Sequence, residues 1–246
     1  MSTTNHKPWY KEWFDTPYYH MLYKHRDDHE AQQFIKNLLQ KTPVQKDWHF
    51  LDLACGRGRH AKFLNQQGYR VTGLDLAPQN VSYAQLYASD SLQFKQADMR
   101  EPYGDEEFDC ILNLFTSFGY FASKEESARA CRQMKKALKQ GGYLWLDFMN
   151  IHKVALGLVP NEYKVVGNIE FCLERKLEAG QVVKEITFTD GGEDYRFQER
   201  VQLLTLQDFE QFFKEAQLNI ESVYGNYELE PYAKEASDRL ILKATA

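Results

Sequence analysis

Three aspartates stand at matching places in the first half of the chain. Asp52 lies in the apolar run His49-Phe-Leu-Asp-Leu53, Asp75 closes Tyr69-Arg-Val-Thr-Gly-Leu-Asp75, and Asp98 follows Leu92-Gln-Phe-Lys-Gln96. The first run leads into Ala54-Cys-Gly-Arg-Gly58 and then Arg59-His-Ala-Lys-Phe-Leu64. A strand, a glycine-rich turn and a helix N-terminus offer amide N–H groups and a helix dipole to a ligand, and small residues let it approach the main chain. Two chemistries use such a turn. Gly56, Gly58 and Ala61 match G-x-G-x-x-G/A, and Asp75 lies where a carboxylate would grip a ribose, which suits an NAD(P)-linked oxidoreductase. Asp52 suits that reading poorly, because it would meet a pyrophosphate at close range. A ligand with an ammonium group would offset the desolvation of Asp52.

The elements that must position these residues follow from hydrophobic pattern. A helix is expected over Asp27–Gln40, with Ala31, Phe34, Ile35, Leu38 and Leu39 on one face. Another follows Pro78, over Gln79–Ser89. Phe108–Phe115 reads as a fourth strand, Lys124–Lys139 as an amphipathic helix closed by Gly141-Gly142, and Tyr143–Phe148 as a fifth strand. Between Glu162 and Leu204 apolar residues alternate in three runs, with turns at Glu178-Ala-Gly180 and Asp190-Gly-Gly192, so a three-stranded antiparallel meander is expected. Some forty residues with turns cannot bury both faces of a sheet, so one face should pack on the α/β body. Thr205-Leu-Gln-Asp208 starts a helix ending near Leu218. Ile220–Tyr227 and Arg239–Ala244 are the last two strands.

At 246 residues the chain suits one α/β domain with an insertion. The boundaries expected are an N-terminal helical lid (1–45), a ligand-binding half (46–150), the inserted meander (160–204) and a C-terminal helix with a strand pair (205–246). A net charge of −5 provides no global field for nucleic acid or anionic membrane. The four cysteines show no C-x-x-C spacing and Met1–Tyr10 is polar, so a reduced, cytoplasmic protein without a membrane span is expected. His25 and His29 are spaced i, i+4 without a third ligand nearby, which reads as a solvated face, and no metal is expected.

The string Asp52-Leu-Ala-Cys-Gly-Arg-Gly58 resembles the glycine-rich motif of class I S-adenosylmethionine (SAM)-dependent methyltransferases. The succession Asp52, Asp75, Asp98 and the opening Phe108-Asp109 of the fourth strand extend the resemblance, which is close over Phe50–Gly142 and in outline over Thr205–Ala246. It implies a Rossmann-like seven-stranded, mostly parallel sheet with an antiparallel last strand, the meander being inserted. It also implies SAM as cofactor, held by Asp52, Ala54, Cys55, Gly56, Gly58, Asp75, Leu76, Asp98, Met99, Leu114 and Phe115. Asp75 would take the ribose hydroxyls and Asp98 the adenine amino group, with Met99 on the ring, and Asn113–Tyr120 would border the methyl group. Nucleic-acid amino-methyltransferases often carry N/D-P-P-Y/F there, where this chain has Asn113-Leu-Phe-Thr116. A small-molecule acceptor is therefore expected, the alternatives being a tRNA or rRNA methyltransferase, the oxidoreductase above, or a non-catalytic SAM-binding protein. The aromatic segment Trp9–Tyr23, with Trp13-Phe-Asp-x-x-Tyr-Tyr19, is similar to N-terminal lids of small-molecule members. Candidates for a base, on position alone, are Tyr18, Tyr19, His20, Asp147 and His152.

Overall fold

The run His49–Leu53 forms the first strand, β1, and all five residues are buried, as in a parallel strand covered on both faces. The structure is a computed structural model that describes residues 9–23 and 28–246. Before β1 come helices α1 (Trp9–Trp13), α2 (Pro17–Leu22) and α3 (Asp28–Gln40). After it follow α4 (Arg59–Gln66), β2 (Arg70–Asp75), α5 (Pro78–Gln85), β3 (Leu92–Gln96), β4 (Phe108–Asn113), α6 (Lys124–Ala137), β5 (Leu138–Met149) and α7 (Ile151–Leu156). The chain continues with β6 (Asn161–Val166), β7 (Ile169–Glu178), β8 (Gln181–Asp190), β9 (Glu193–Gln202), α8 (Leu206–Ala216), β10 (Asn219–Tyr224) and β11 (Arg239–Thr245). His25, of the spaced histidine pair, lies outside the described residues.

Two compact units form: residues 28–153 with Leu204–Ala246, and residues 9–23 with Val154–Leu203. The first holds a seven-stranded sheet in the order β10-β11-β5-β4-β1-β2-β3. β1 pairs in parallel with β2 and β4, β2 with β3, and β4 with β5, while β11 runs antiparallel to both β5 and β10. Strand order reverses beside β1, and sheets of this kind bind ligands at the carboxyl ends of the strands flanking that reversal. Phe94 shows why two glycines stand near it: a Cβ on Gly58 would lie 2.6 Å from its ring, and one on Gly73 would lie 2.5 Å away. Gly58 also has φ +77°, a conformation that disfavours side chains.

Two helices end earlier than their sequence pattern suggests. The helix after Pro78 stops at Gln85, not Ser89, because Ser89 exchanges backbone hydrogen bonds with Leu92 at the mouth of β3. The helix from Lys124 stops at Ala137, not Lys139. The amides of Glu106 and Glu107 take the carbonyls of Lys136 and Ala137, and Leu138 pairs with Phe108 as the start of β5. The start of α8 matches expectation, with a reciprocal cap between Thr205 and Asp208. Among the described residues no helix is long and apolar enough to cross a membrane.

In the second unit the meander has a fourth strand, β6, ahead of the three that alternation marks, and the order is β6-β7-β8-β9. The cover for its apolar face, which the sequence pattern sought in the α/β body, comes from the N-terminal helices. Trp13, Leu22, Tyr18 and Tyr19 pack with Phe171, Ile186 and Phe188. Glu199 on β9 fixes this cover, accepting hydrogen bonds from Trp13 Nε1 (2.7 Å) and the Tyr23 hydroxyl (2.8 Å) and pairing with Lys184 (2.7 Å). Against the pull of its own burial, Lys184 and these hydrogen bonds hold the Glu199 carboxyl below the usual range.

His49, buried at the start of β1 with Nε2 2.9 Å from Thr72 Oγ1, links the fold to pH. Burial, helped by the charge of Arg70, pushes its pKa down to about 4. The folded state therefore favours the neutral ring. The stability this contributes is complete above the unfolded value of ~6.5 and is lost as pH falls through ~4. That loss is at most about 3 kcal/mol at ~1.4 kcal/mol per pH unit, reduced by whatever solvent screening reaches the ring. Glu107, 3.7 Å from Nδ1 and 42% exposed, offsets little of it. Urea titrations from pH 7 to 4 should show a flatter loss for His49→Gln than for the parent. Equal slopes would rule this account out.

Candidate active site

The turn after β1 alternates left-handed residues: Ala54 (φ 64°), Gly56 (φ 55°) and Gly58 (φ 77°). Such a turn aims successive amides to one side and makes an anion- or dipole-binding concavity. Asp75 ties it down from the end of β2, its Oδ2 accepting from the Gly56 amide (2.7 Å) and its Oδ1 from the Ala77 amide (2.9 Å). Burial pushes the Asp75 carboxyl above its ordinary range, and the two amides oppose that shift. Asp52 is buried, with Oδ2 accepting from the Ala61 amide in the first turn of α4 (3.0 Å) and Oδ1 3.9 Å from His60 Nδ1. Cys55 is a buried thiol, pushed well above its usual pKa by burial, and is no nucleophile. A Cβ on Gly56 would meet nothing within 4 Å, so the space before the turn is open to a ligand.

Beyond β3, Asp98 is fastened by a residue the sequence pattern did not single out. Arg100 donates Nε to Asp98 Oδ1 (3.0 Å) and Nη2 to Oδ2 (2.6 Å), and its Nη1 reaches Glu126 (2.5 Å). Arg100 also lies over the Phe121 ring at 5.2 Å. Leu76 and Met99, beside the second and third carboxylates, are half-buried. The three aspartates thus stand at or just beyond the ends of three adjacent parallel strands, β1, β2 and β3.

The exit of β4 is strained. Leu114 is buried, and Phe115 and Thr116 both carry left-handed backbone, at φ 57° and 58°. Each such residue costs roughly 1–3 kcal/mol and persists only when its surroundings enforce it. The enforcement comes from Asp147 on β5 and Arg239 on β11. Asp147 Oδ2 accepts the Phe115 amide (2.7 Å), its backbone carbonyl accepts the Thr116 amide (3.1 Å), and Oδ1 takes Arg239 Nε (2.8 Å). Arg239 Nη2 donates to Thr116 Oγ1 (2.8 Å). Burial pushes the Asp147 carboxyl up while Arg239 opposes it, and the Asp147 charge holds Arg239 above its ordinary pKa against burial; the 2.8 Å contact between them favours the ion pair. Phe115 stacks on His60 (centroids 5.1 Å apart, 15° between planes) and lies under Arg59 at 4.7 Å.

The base candidates separate on this evidence. Asp147 is fully buried and committed to Arg239 and Phe115, so its place is structural. Tyr18, Tyr19 and His20 lie on α2 in the other compact unit. Hydrogen bonds with Tyr195 and Asp190 hold the Tyr18 hydroxyl far above its usual pKa, which keeps it protonated. His152 follows β5 in the first turn of α7, where its backbone amide bonds Asn150 Oδ1 (3.2 Å) and its imidazole is half-exposed. Arg100 and Arg239 were missed because their partners are legible only once the strands are placed.

Comparison with known proteins agrees with this geometry. A family model described as a methyltransferase domain matches residues 51–146. The Bacillus subtilis (strain 168) protein named "Putative methyltransferase YqeM" is 30% identical over 206 residues, covering 79% of this chain and 82% of that one. The dTDP-3-amino-3,4,6-trideoxy-alpha-D-glucopyranose N,N-dimethyltransferase of Streptomyces venezuelae is 25% identical over 205 residues, covering 80% and 85%. Among solved structures, an S-adenosylmethionine-dependent methyltransferase from Clostridium acetobutylicum ATCC 824 superposes with a TM-score of 0.79 at 21% identity, covering 93% and 95%. A glycine turn flanked by strand-end carboxylates in this strand order, together with 30% identity to a methyltransferase over most of both chains, has one conclusion: the chain belongs to the class I SAM-dependent methyltransferases.

Proposed function

We propose that this methyltransferase acts on a small-molecule acceptor and holds SAM across the carboxyl ends of β1, β2 and β3. The observation that carries the cofactor assignment is the open space before Gly56, bordered by Asp75 and with Asp52 beneath the turn. In this reading Asp75 takes the ribose hydroxyls and Asp98 the adenine amino group. Asp52 faces the ammonium end, Ala54, Cys55, Gly56 and Gly58 supply the turn, and Leu76, Met99, Leu114 and Phe115 line the bound cofactor. SAM supplies an electrophilic methyl group on a sulfonium. The protein's part is then alignment of the acceptor and exclusion of water, and alignment alone accounts for roughly 7–11 kcal/mol in favourable systems. Among the base candidates Asp147 is committed to an ion pair and Tyr18 is held protonated, which leaves Tyr19, His20 and His152.

The small-molecule assignment draws on the Streptomyces venezuelae relative, whose substrate is a nucleotide-linked amino sugar, and on the acidic net charge of −5. We further infer that the chain works in the cytoplasm as a single methyltransferase. The test is calorimetric titration with SAM and NADH, then a labelled-methyl screen of amines, acids, phenols and sugar nucleotides beside RNA oligonucleotides. Micromolar SAM affinity and label on a small molecule are expected. Label on RNA alone would overturn the acceptor class, and NADH binding without SAM binding would overturn the cofactor.

A further inference from the structure

The two sheets of the described residues have four edges, and three of them are guarded. β3 carries the exposed Lys95, β10 carries Glu221 and an irregular register between Ile220 and Ser222, and β9 is charged along its length. Charges and bulges of this kind keep an edge from pairing with another chain. β6, the remaining edge, has the opposite character. It pairs with β7 on one side, and no strand of the described residues lies on the other. Its Tyr163 and Val165 are 69% and 68% exposed. Four of the eight large apolar side chains that stand well exposed among the described residues fall between 156 and 165, so apolar exposure is concentrated at this edge. On the opposite face of the strand, Val166 packs with the aromatic cluster under the N-terminal helices.

The phase of the β6–β7 ladder fixes what that edge presents. Arg175 donates its amide to the Pro160 carbonyl (2.6 Å), and the register sets Glu162 opposite Leu173 and Lys164 opposite Phe171. Bonded pairs recur at every second residue of an antiparallel ladder, so the backbone of Glu162, Lys164 and Val166 turns toward β7. The N–H and C=O groups of Asn161, Tyr163 and Val165 therefore point outward. A second copy of β6, antiparallel about a two-fold axis, meets them best in one register. With Tyr163 opposite itself, Asn161 bonds Val165 of the second copy, and Glu162 lies opposite Lys164 of the second copy. A slip of two residues, the smallest that keeps the backbone groups in phase, sets Glu162 against Glu162 or Lys164 against Lys164, which is destabilising. Charge here selects the register only, since within the chain Glu162 already meets Arg175 (2.5 Å) and Lys164 the Leu22 carbonyl (3.4 Å). Association draws instead on the edge hydrogen bonds and on covering Tyr163 and Val165. We propose that β6 is the contact of a two-fold homodimer, in which two four-stranded sheets fuse edge to edge about Tyr163. A six-residue strand makes a small interface, so the dimer is weak and reversible. The proposal concerns association alone and holds whichever acceptor is methylated.

The test is sedimentation of the full chain from micromolar to submillimolar concentration, where a monomer–dimer equilibrium is expected. Val165→Lys should raise the dissociation constant about ten-fold or more, the size of one buried apolar side chain. Leu86→Lys, the same chemistry at another exposed apolar residue, should leave it unchanged. Lys164→Glu and Glu162→Lys each set like charges against each other in the proposed register, so either variant alone should be monomeric. Mixed in equal amounts, the two should associate, because each then meets opposite charge. If a charge variant fails to fold, hydrogen exchange of the parent gives the same reading, with the amides of Asn161, Tyr163 and Val165 gaining protection as concentration rises. A chain that is monomeric throughout overturns the proposal and leaves the edge to a strand of some other protein. Equal effects of Val165→Lys and Leu86→Lys, no association of the mixed charge variants, or edge amides indifferent to concentration overturn it as well.

Discussion

Asp147→Ala is expected to lower the free energy of unfolding by about 3–5 kcal/mol. The substitution leaves Arg239, charged and only 18% exposed, without its partner, and it removes the acceptor of the Phe115 amide. It also removes what holds Phe115 and Thr116 in left-handed backbone, so the exit of β4 should relax and SAM affinity should fall with stability. Urea denaturation measures the first effect and calorimetry the second. Asp147→Asn keeps an acceptor for the amide and should fall between parent and alanine. The double change Asp147→Leu with Arg239→Met removes both charges and should recover much of the loss, because the penalty lies in the unpaired ion. If Asp147→Ala costs less than about 1 kcal/mol, a level typical of exposed pairs, the ion pair does not hold the turn.

Asp75→Ala should weaken SAM binding by about 1.5–3 kcal/mol, or roughly ten- to a hundred-fold. Two losses combine. Charge-assisted hydrogen bonds to the ribose disappear, and so does the bond that fixes the Gly56 amide at 2.7 Å. The folded core should survive, because Asp75 bonds two turn amides and the Asn80 side-chain amide rather than packing among apolar side chains. Asp75→Asn, which keeps one acceptor oxygen, should lose less than the alanine variant. A folded Asp75→Ala protein with unchanged SAM affinity would show that this carboxylate only shapes the turn.

The framework of strands and helices around the glycine turn was readable in the sequence because its signals are local. A buried strand, a glycine turn and a helix lie within twenty residues, and Asp52, Asp75 and Asp98 recur at strand ends. What depends on distant pairing was not readable. Asp147 resembles a site carboxylate until Arg239, ninety-two residues later, is brought beside it. β6 carries Tyr163 and Val165, both about two-thirds exposed, so its apolar residues mark no core face and the strand was missed. Lys124–Lys139 has a helical pattern throughout, yet Phe108 recruits Leu138 into β5. The cover of the meander was sought in the α/β body because chain order does not show that Trp13 and Glu199, 186 residues apart, share a hydrogen bond.

That last contact also orders events during synthesis. The ribosome makes residues 9–23 early, but the strands that receive Trp13, Tyr18 and Tyr23 follow the whole of β1 to β5. At about 5–20 residues per second, the aromatic N-terminus waits roughly 10–35 s before β9 emerges from the exit tunnel. Throughout that interval a cluster of tryptophan and tyrosine rings is without its sheet, while β1 to β5 can already fold behind it. The nascent chain therefore offers chaperones an early, sticky and transient handle. A truncation ending before β7 would leave that handle exposed permanently, and such a fragment should aggregate through residues 9–23.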